Sequence, residues 1–222
     1  GTLADAAGNA LTDFTPTTTL ATNKNFVIDA VVPDIVAVDA GASSADRTSF
    51  TSDSWINYSA TGSDDALSFS WIDPSSASDD TFFYELNSTA DSSIDGTESS
   101  VATNFVDDIS IAEGTNYFHV RPRSGAGTWG VERIFIVKLD KTAPISTAAI
   151  TSGTLGNFDF YLSNVSVAIS ENDATSGVAS TKYCVDQSDS CSPTTDYSTP
   201  VELSTDGSNY FRFASTDSAG NI

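Results

Sequence analysis

What most constrains the folding of this chain is the way its apolar residues are broken up. Short runs rich in Val, Ile, Phe and Tyr recur from end to end, and each is bounded by Asp, Asn, Gly, Pro or Ser. Branched and aromatic side chains suit a pleated, half-buried surface, whereas the bounding residues supply turn dihedrals and local hydrogen bonds. No window repeats its apolar residues at helical spacing over the length of a helix. The runs at 26–30, 35–38, 54–59, 67–72, 82–86, 116–121 and 133–139 read as strands. After Pro144 the same holds for 158–162, 165–170, 180–185, 200–204 and 209–215. Many short strands at this spacing predict an all-β chain of antiparallel sandwiches.

The charge has the same origin. Thirty acidic residues face nine basic ones, a net charge of −21, and 24 of the acids are Asp against only 6 Glu. Asp competes with the backbone for hydrogen bonds, so it belongs in turns and caps, while Glu favours helices. With 39% hydrophobic residues the chain carries enough apolar matter for a packed core despite the charge. Phosphate binding needs Lys and Arg to displace counterions, which argues against nucleic acid, and an anionic membrane surface is disfavoured for the same reason. No apolar stretch is long enough to span a bilayer. A chain that starts at Gly1, lacks Met and shows no leader reads as a mature protein or an excerpt of a longer one.

Two segments repeat. Asp5-Ala-Ala-Gly-Asn9 matches Asp217-Ser-Ala-Gly-Asn221, and Asp29-x-x-x-Pro33 matches Asp140-x-x-x-Pro144, each Asp directly after an apolar strand. Asp29 and Asp140 stand 111 positions apart, about the length of one sandwich domain of ~100 residues. Proline stiffens such a linker by fixing φ and removing a ladder donor. The expected division is therefore 1–31 as the last turn and strand of a preceding domain, or a donor strand; 32–141 as a sandwich; and 142–222 as a second sandwich without its last strand.

These turns, together with Asp140-Lys-Thr-Ala-Pro144, resemble the tandem immunoglobulin-like repeats of large prokaryotic surface proteins of adhesin, surface-layer or filament type. Residues 32–141 resemble the fibronectin type III variant, with Trp71 where that family has a core Trp and Ile111-x-x-Gly114-x-x-Tyr117 in its tyrosine-corner spacing. Residues 142–222, with Ser176-Gly-Val178, Tyr183-Cys184 and Tyr210-Phe-Arg212, are similar to bacterial immunoglobulin-like modules. The stretch 41–65 matches no part of the pattern. The resemblance implies tandem sandwiches on short linkers, outside the cell, with neighbouring repeats or identical subunits as partners and no enzymatic activity. Three uses follow: a mechanical stalk, surface layer or filament; an adhesin or carbohydrate-binding module; or a fibre in which residues 1–31 of one subunit complete the last sandwich of the next.

Candidate chemistry is sparse. Cys184 and Cys191 flank a polar loop and suggest a disulfide at a hairpin tip; a metal pair would need further Cys or His nearby. His119, the single histidine, lies on a strand with no catalytic partner in the sequence, and no nucleophile elbow, phosphate loop or zinc motif is present. Calcium takes six to eight oxygens from carboxylates and turn carbonyls, so Asp29 and Asp140 at the linkers, with Asp5 and Asp217 in the repeated turns, are the candidate ligands. The competing role for them is to cap turns. Arg121, Arg123, Arg133, Lys138 and Lys141 gather most of the positive charge in one stretch. With Trp129, Arg121 and Arg123 form a candidate surface for a glycan or another surface protein; the competing roles are charge balancing and packing.

Overall fold

The computed structural model describes residues 32–57, 66–74, 80–91 and 93–222, all within the unit Val32–Ile222. Asp5, Asp29 and the expected strand at 26–30 lie outside them. Every regular element described is a strand: β1 Ala37–Gly41, β2 Ser54–Ile56, β3 Ala66–Ile72, β4 Thr81–Asn87, β5 Ser99–Val101, β6 Phe105–Ser110, β7 Gly114–Arg123 and β8 Arg133–Leu139. There follow β9 Ile145–Ser152, β10 Val165–Asn172, β11 Val178–Asp186, β12 Thr195–Asp196, β13 Val201–Leu203 and β14 Tyr210–Asp217. The fold is all-β, of the sandwich class.

The first eight strands make two sheets, β1-β3-β6 and β2-β8-β7-β4-β5, antiparallel except where β2 runs parallel to β8. β2 comes from the stretch 41–65, so part of that stretch is an edge strand. The inward faces meet in a core of Leu67, Phe69 and Trp71 from β3 against Phe82, Phe118, Val120, Phe135, Val137 and Leu139. Phe69 stacks on Phe118 with ring centres 4.0 Å apart, and Trp71 packs against Phe82 at 5.3 Å. Alternation decides which residues of β7 enter: Asn116, Phe118 and Val120 face the core, so Tyr117 and Arg121 sit on the opposite parity and are half-buried. Tyr117, expected at the tyrosine corner, therefore does not enter the core. Asn116 ties the corner instead, donating from Nδ2 to the carbonyls of Ala112 (2.7 Å) and Gly114 (3.1 Å) and accepting from the Ala112 amide at Oδ1 (3.3 Å).

The later strands make two three-stranded sheets, β13-β10-β9 and β12-β11-β14. Among the described residues no named strand before Asp140 pairs with one after Pro144. The expected strand at 158–162 is instead a tight turn with short bridging arms. Phe158 and Asp159 both have positive φ (57° and 64°), and the Phe160 amide donates to the Asn157 carbonyl at 3.2 Å. Two successive left-handed residues are the geometry of a type I′ turn. β5, β6, β9 and β12 lacked an apolar pattern: β6 carries Asp107 and Asp108, and β9 is a Ser/Thr/Ala edge strand held mainly by its ladder with β10.

Candidate functional site

The linker between the two halves is built around Asp140. Its backbone amide donates to the Ile56 carbonyl of β2 (2.9 Å), which extends the β2–β8 pairing by one residue. Its side chain is fully buried (0% exposed). Oδ1 accepts from the Thr142 amide at 3.0 Å, Oδ2 accepts from the Ser176 amide at 2.9 Å, and the Asp140 carbonyl accepts from Asn221 Nδ2 at 3.0 Å. Thr142 Oγ1 donates to Glu113 Oε1 at 2.9 Å. Residues on both sides of the linker thus converge on one aspartate.

Asp217 is the second member, 2% exposed. In the turn Asp217-Ser-Ala-Gly-Asn221 its Oδ1 accepts the amides of Ala219 (2.8 Å), Gly220 (2.7 Å) and Asn221 (2.9 Å). Asn221 Nδ2 reaches both Asp217 Oδ2 (2.8 Å) and the Asp140 carbonyl. Gly220, at φ +95°, permits the curl that aims three amides at one oxygen. Asp173, half-buried, does the same in its own turn, its Oδ1 accepting from Thr175 (3.2 Å), Ser176 (2.9 Å) and Gly177 (2.6 Å). One carboxylate oxygen from each of Asp140, Asp173 and Asp217 falls within 4.8 Å of the others. Two of the four sequence candidates are thus brought together, joined by a residue that the repeats did not mark. Burial resists ionisation of Asp140, but hydrogen bonds from Ser176 and Thr142 outweigh it and hold the carboxyl below its usual range.

Cys184 and Cys191 are bonded to each other, with Cα atoms 6.2 Å apart. Asp186 organises the loop they close. Its Oδ2 accepts from the amides of Ser190 (2.9 Å) and Cys191 (3.0 Å) and from the Ser188 hydroxyl (2.9 Å). Those bonds, the Ser190 amide foremost, lower its pKa to about 2. Arg212 of β14 braces the loop from outside, donating to the Cys191 carbonyl (3.2 Å) and to Asp189.

Trp129, Arg121 and Arg123 also come together. The Arg121 and Arg123 guanidinium carbons lie 5.0 and 5.1 Å from the Trp129 ring centre, and the half-buried ring packs on Phe83 at 5.1 Å. Arg121 donates to the carbonyls of Gly130 (2.9 Å) and Ile94 (3.0 Å), so this guanidinium is engaged by the fold as well as by the indole. Elsewhere along the basic stretch, Arg133 meets Asp34 at 3.5 Å and Lys138 meets Asp53 at 2.5 Å. His119 is fully buried between two acceptors, Glu132 Oε1 at 2.7 Å from Nδ1 and the Thr89 carbonyl at 3.0 Å from Nε2. Glu132, thirteen residues away, also accepts the Ile94 amide (3.3 Å), a link that no local sequence signal marked.

No family model matches the chain. No curated protein matches it either. Among solved structures it is similar to the fibronectin(III)-like modules of Clostridium thermocellum CbhA, at 11% identity and a TM-score of 0.37, covering 86% of this chain and 88% of that one. It is also similar to dimeric latent PorU from Porphyromonas gingivalis (11%, TM-score 0.28, 86% of this chain and 18% of that one). Chicken CNTN1 FN1-FN3 domains align at 12% identity and a TM-score of 0.28, covering 77% of this chain and 62% of that one.

Proposed function

We propose that the chain is a mechanical segment of an extracellular stalk, surface layer or filament, with tandem sandwiches at 32–141 and 142–222 joined by a stiff linker, and no catalytic role. The observation that carries this reading is the Asp140 hub. A flexible tether would leave its linker solvated, whereas here one buried aspartate is held by Ile56 on one side and by Ser176 and Asn221 on the other. The disulfide in a small polar loop suits an oxidising compartment. Replacing Asp140 by Ala leaves the Thr142 amide without this acceptor and cuts the Ser176 amide's tie across the linker, leaving it to Asp173 alone. Small-angle scattering of this variant is expected to show a broader interdomain distribution and a larger radius of gyration at unchanged strand content. An unchanged scattering profile would remove the basis of the reading.

A calcium clamp at the same joint is a second reading, favoured by the convergence of Asp140, Asp173 and Asp217. Three carboxylates so close, two of them buried, repel one another in a low-dielectric setting, and a hard cation relieves that repulsion. The turn amides already collected by Asp173 and Asp217 offer partial relief without an ion. Thermal melting with calcium and with chelator separates the two cases. The clamp predicts a higher midpoint in calcium that Asp173→Asn abolishes, and coincident midpoints would dismiss it. The adhesin or glycan-binding alternative rests on Trp129, Arg121 and Arg123, whose engagement with one another makes them the less favoured surface.

A further inference from the structure

His119 stands on the face of β7 that turns away from the core, in step with Tyr117 and Arg121, yet its ring is fully buried. The connection between β4 and β5 comes over this face. Its Ile94 is buried as well (1% exposed), outside the main core. Three ties hold the connection in place. The Thr89 carbonyl meets His119 Nε2 at 3.0 Å, Glu132 Oε2 accepts the Ile94 amide at 3.3 Å, and Arg121 donates to the Ile94 carbonyl at 3.0 Å. Glu132 joins the first two ties, because its Oε1 lies 2.7 Å from His119 Nδ1.

A neutral imidazole cannot satisfy both of its contacts. A backbone carbonyl only accepts, so Nε2 must carry a hydrogen to bond Thr89. An ionised carboxylate also only accepts, so Nδ1 must carry a second one to bond Glu132. Moving that hydrogen onto Glu132 leaves the count unchanged: the pair holds one proton more than a neutral ring and a carboxylate do. The carboxylate offsets the cost of burying a charged ring. Glu132, its side chain 21% exposed, gives the proton a route to water. The elements packed around the ring carry other ionisable groups. On β4, Glu85 stands opposite His119 in the register, and on β7 the Tyr117 ring centre lies 6.4 Å from that of His119. Arg121 is held by the carbonyls of Gly130 and Ile94. The connection itself carries Asp91, Asp95 and Glu98, the last accepting from the amides of Asp95 and Gly96. Ile134, opposite His119 on β8, is apolar.

We propose that His119 is a proton-operated clasp: with the extra proton its ring ties the β4–β5 connection to β7 at Thr89, and without it that tie opens. A neutral ring keeps one hydrogen. The carboxylate is the stronger acceptor, so Nδ1 retains it and Nε2 turns a lone pair on the Thr89 carbonyl. Ile94 stays bound to Glu132 and Arg121, so the connection opens at one end only. The clasped form needs the proton and the open form does not, so raising the pH favours opening. Histidine changes charge between about pH 5 and about pH 8, which is where the clasp operates. It lies within the first sandwich and involves neither Asp140 nor the linker.

His119 is the single histidine of the 222-residue chain, so its ring nitrogen resonances are unambiguous. The test follows them by NMR, together with the Thr89 carbonyl carbon, from about pH 5 to about pH 8 in the full chain and in Glu132→Gln. In that variant an amide nitrogen takes the place of Oε1 and donates to a bare Nδ1. The neutral ring then keeps its hydrogen on Nε2 for Thr89, and the amide oxygen still accepts from Ile94. Every bond is made without the extra proton. The wild type is expected to hold hydrogens on both ring nitrogens at the acid end and to lose one as pH rises, with the Thr89 carbonyl resonance moving in step. In Glu132→Gln the Thr89 resonance is expected to stay fixed over the same range. A wild-type ring that keeps one charge state throughout overturns the proposal, as does a Thr89 resonance indifferent to the ring's titration. A Thr89 shift with pH that persists equally in Glu132→Gln overturns it too. The wild-type measurements decide by themselves where the variant does not fold.

Discussion

At the scale of single residues, aspartate does most of the organising, and it does so by collecting amides. Asp140, Asp173, Asp186 and Asp217 each accept from one or more backbone N–H groups, which is how short polar turns satisfy donors that no ladder reaches. The ionised form makes these bonds best, so acid should loosen them. For Asp186 the folded value of about 2 lies below the ordinary 3.8, so its contribution is complete above the ordinary value and disappears as pH falls through the folded one. Asp140 is shifted in the same direction. Urea midpoints measured downward from pH 5 should therefore decline in acid, and Asp186→Asn should flatten part of that slope. Repetition in the sequence pointed to Asp140 and Asp217, whereas Asp173 had no second copy and became visible only when three turns met.

At the scale of elements, the strands follow from alternation and the errors follow from its absence. Arg133–Leu139, with its apolar run Ile134–Val137, forms β8 over that range, and burial alternates along it. The Asp-rich β6 and the Ser/Thr/Ala-rich β9 are strands because a neighbour supplies their hydrogen bonds, a tertiary fact with little local trace. The segment at 158–162 has strand-like composition, yet Phe158 and Asp159 take left-handed dihedrals and the Asn157 carbonyl accepts the Phe160 amide, which bends it back. The loop closed by Cys184 and Cys191 restrains the unfolded chain. Its reduction should lower the stability of the second half by ~2 kcal/mol, read as a shift of its urea midpoint with and without reductant.

At the scale of the molecule, the contrast among the described residues is between one well-filled core and one that buries few hydrophobic side chains. Phe118 stands at the centre of the first, stacked on Phe69 and beside Trp71. Replacing it by Ala removes a buried ring and leaves a cavity, and should cost ~3–5 kcal/mol. Because no ladder crosses the Asp140 linker among the described residues, the loss should appear in the transition of residues 32–141 and leave that of 142–222 nearly unmoved. Hydrogen exchange resolved by region would check it. A common shift in both halves would mean that the joint couples them into one folding unit.

Punctuation by Asp, Gly, Pro and Ser was enough to make the chain all-β, because turn chemistry and the two-residue period of a strand are local properties. The repeats likewise marked the joint at Asp140 and the turn at Asp217. Only tertiary structure decided that Asp173 completes their cluster, that Asn116 rather than Tyr117 enters the core, and that β14 pairs with β11. Each of these depends on which strand lies beside which, and pairing between residues far apart in the chain is set by packing that no single segment encodes.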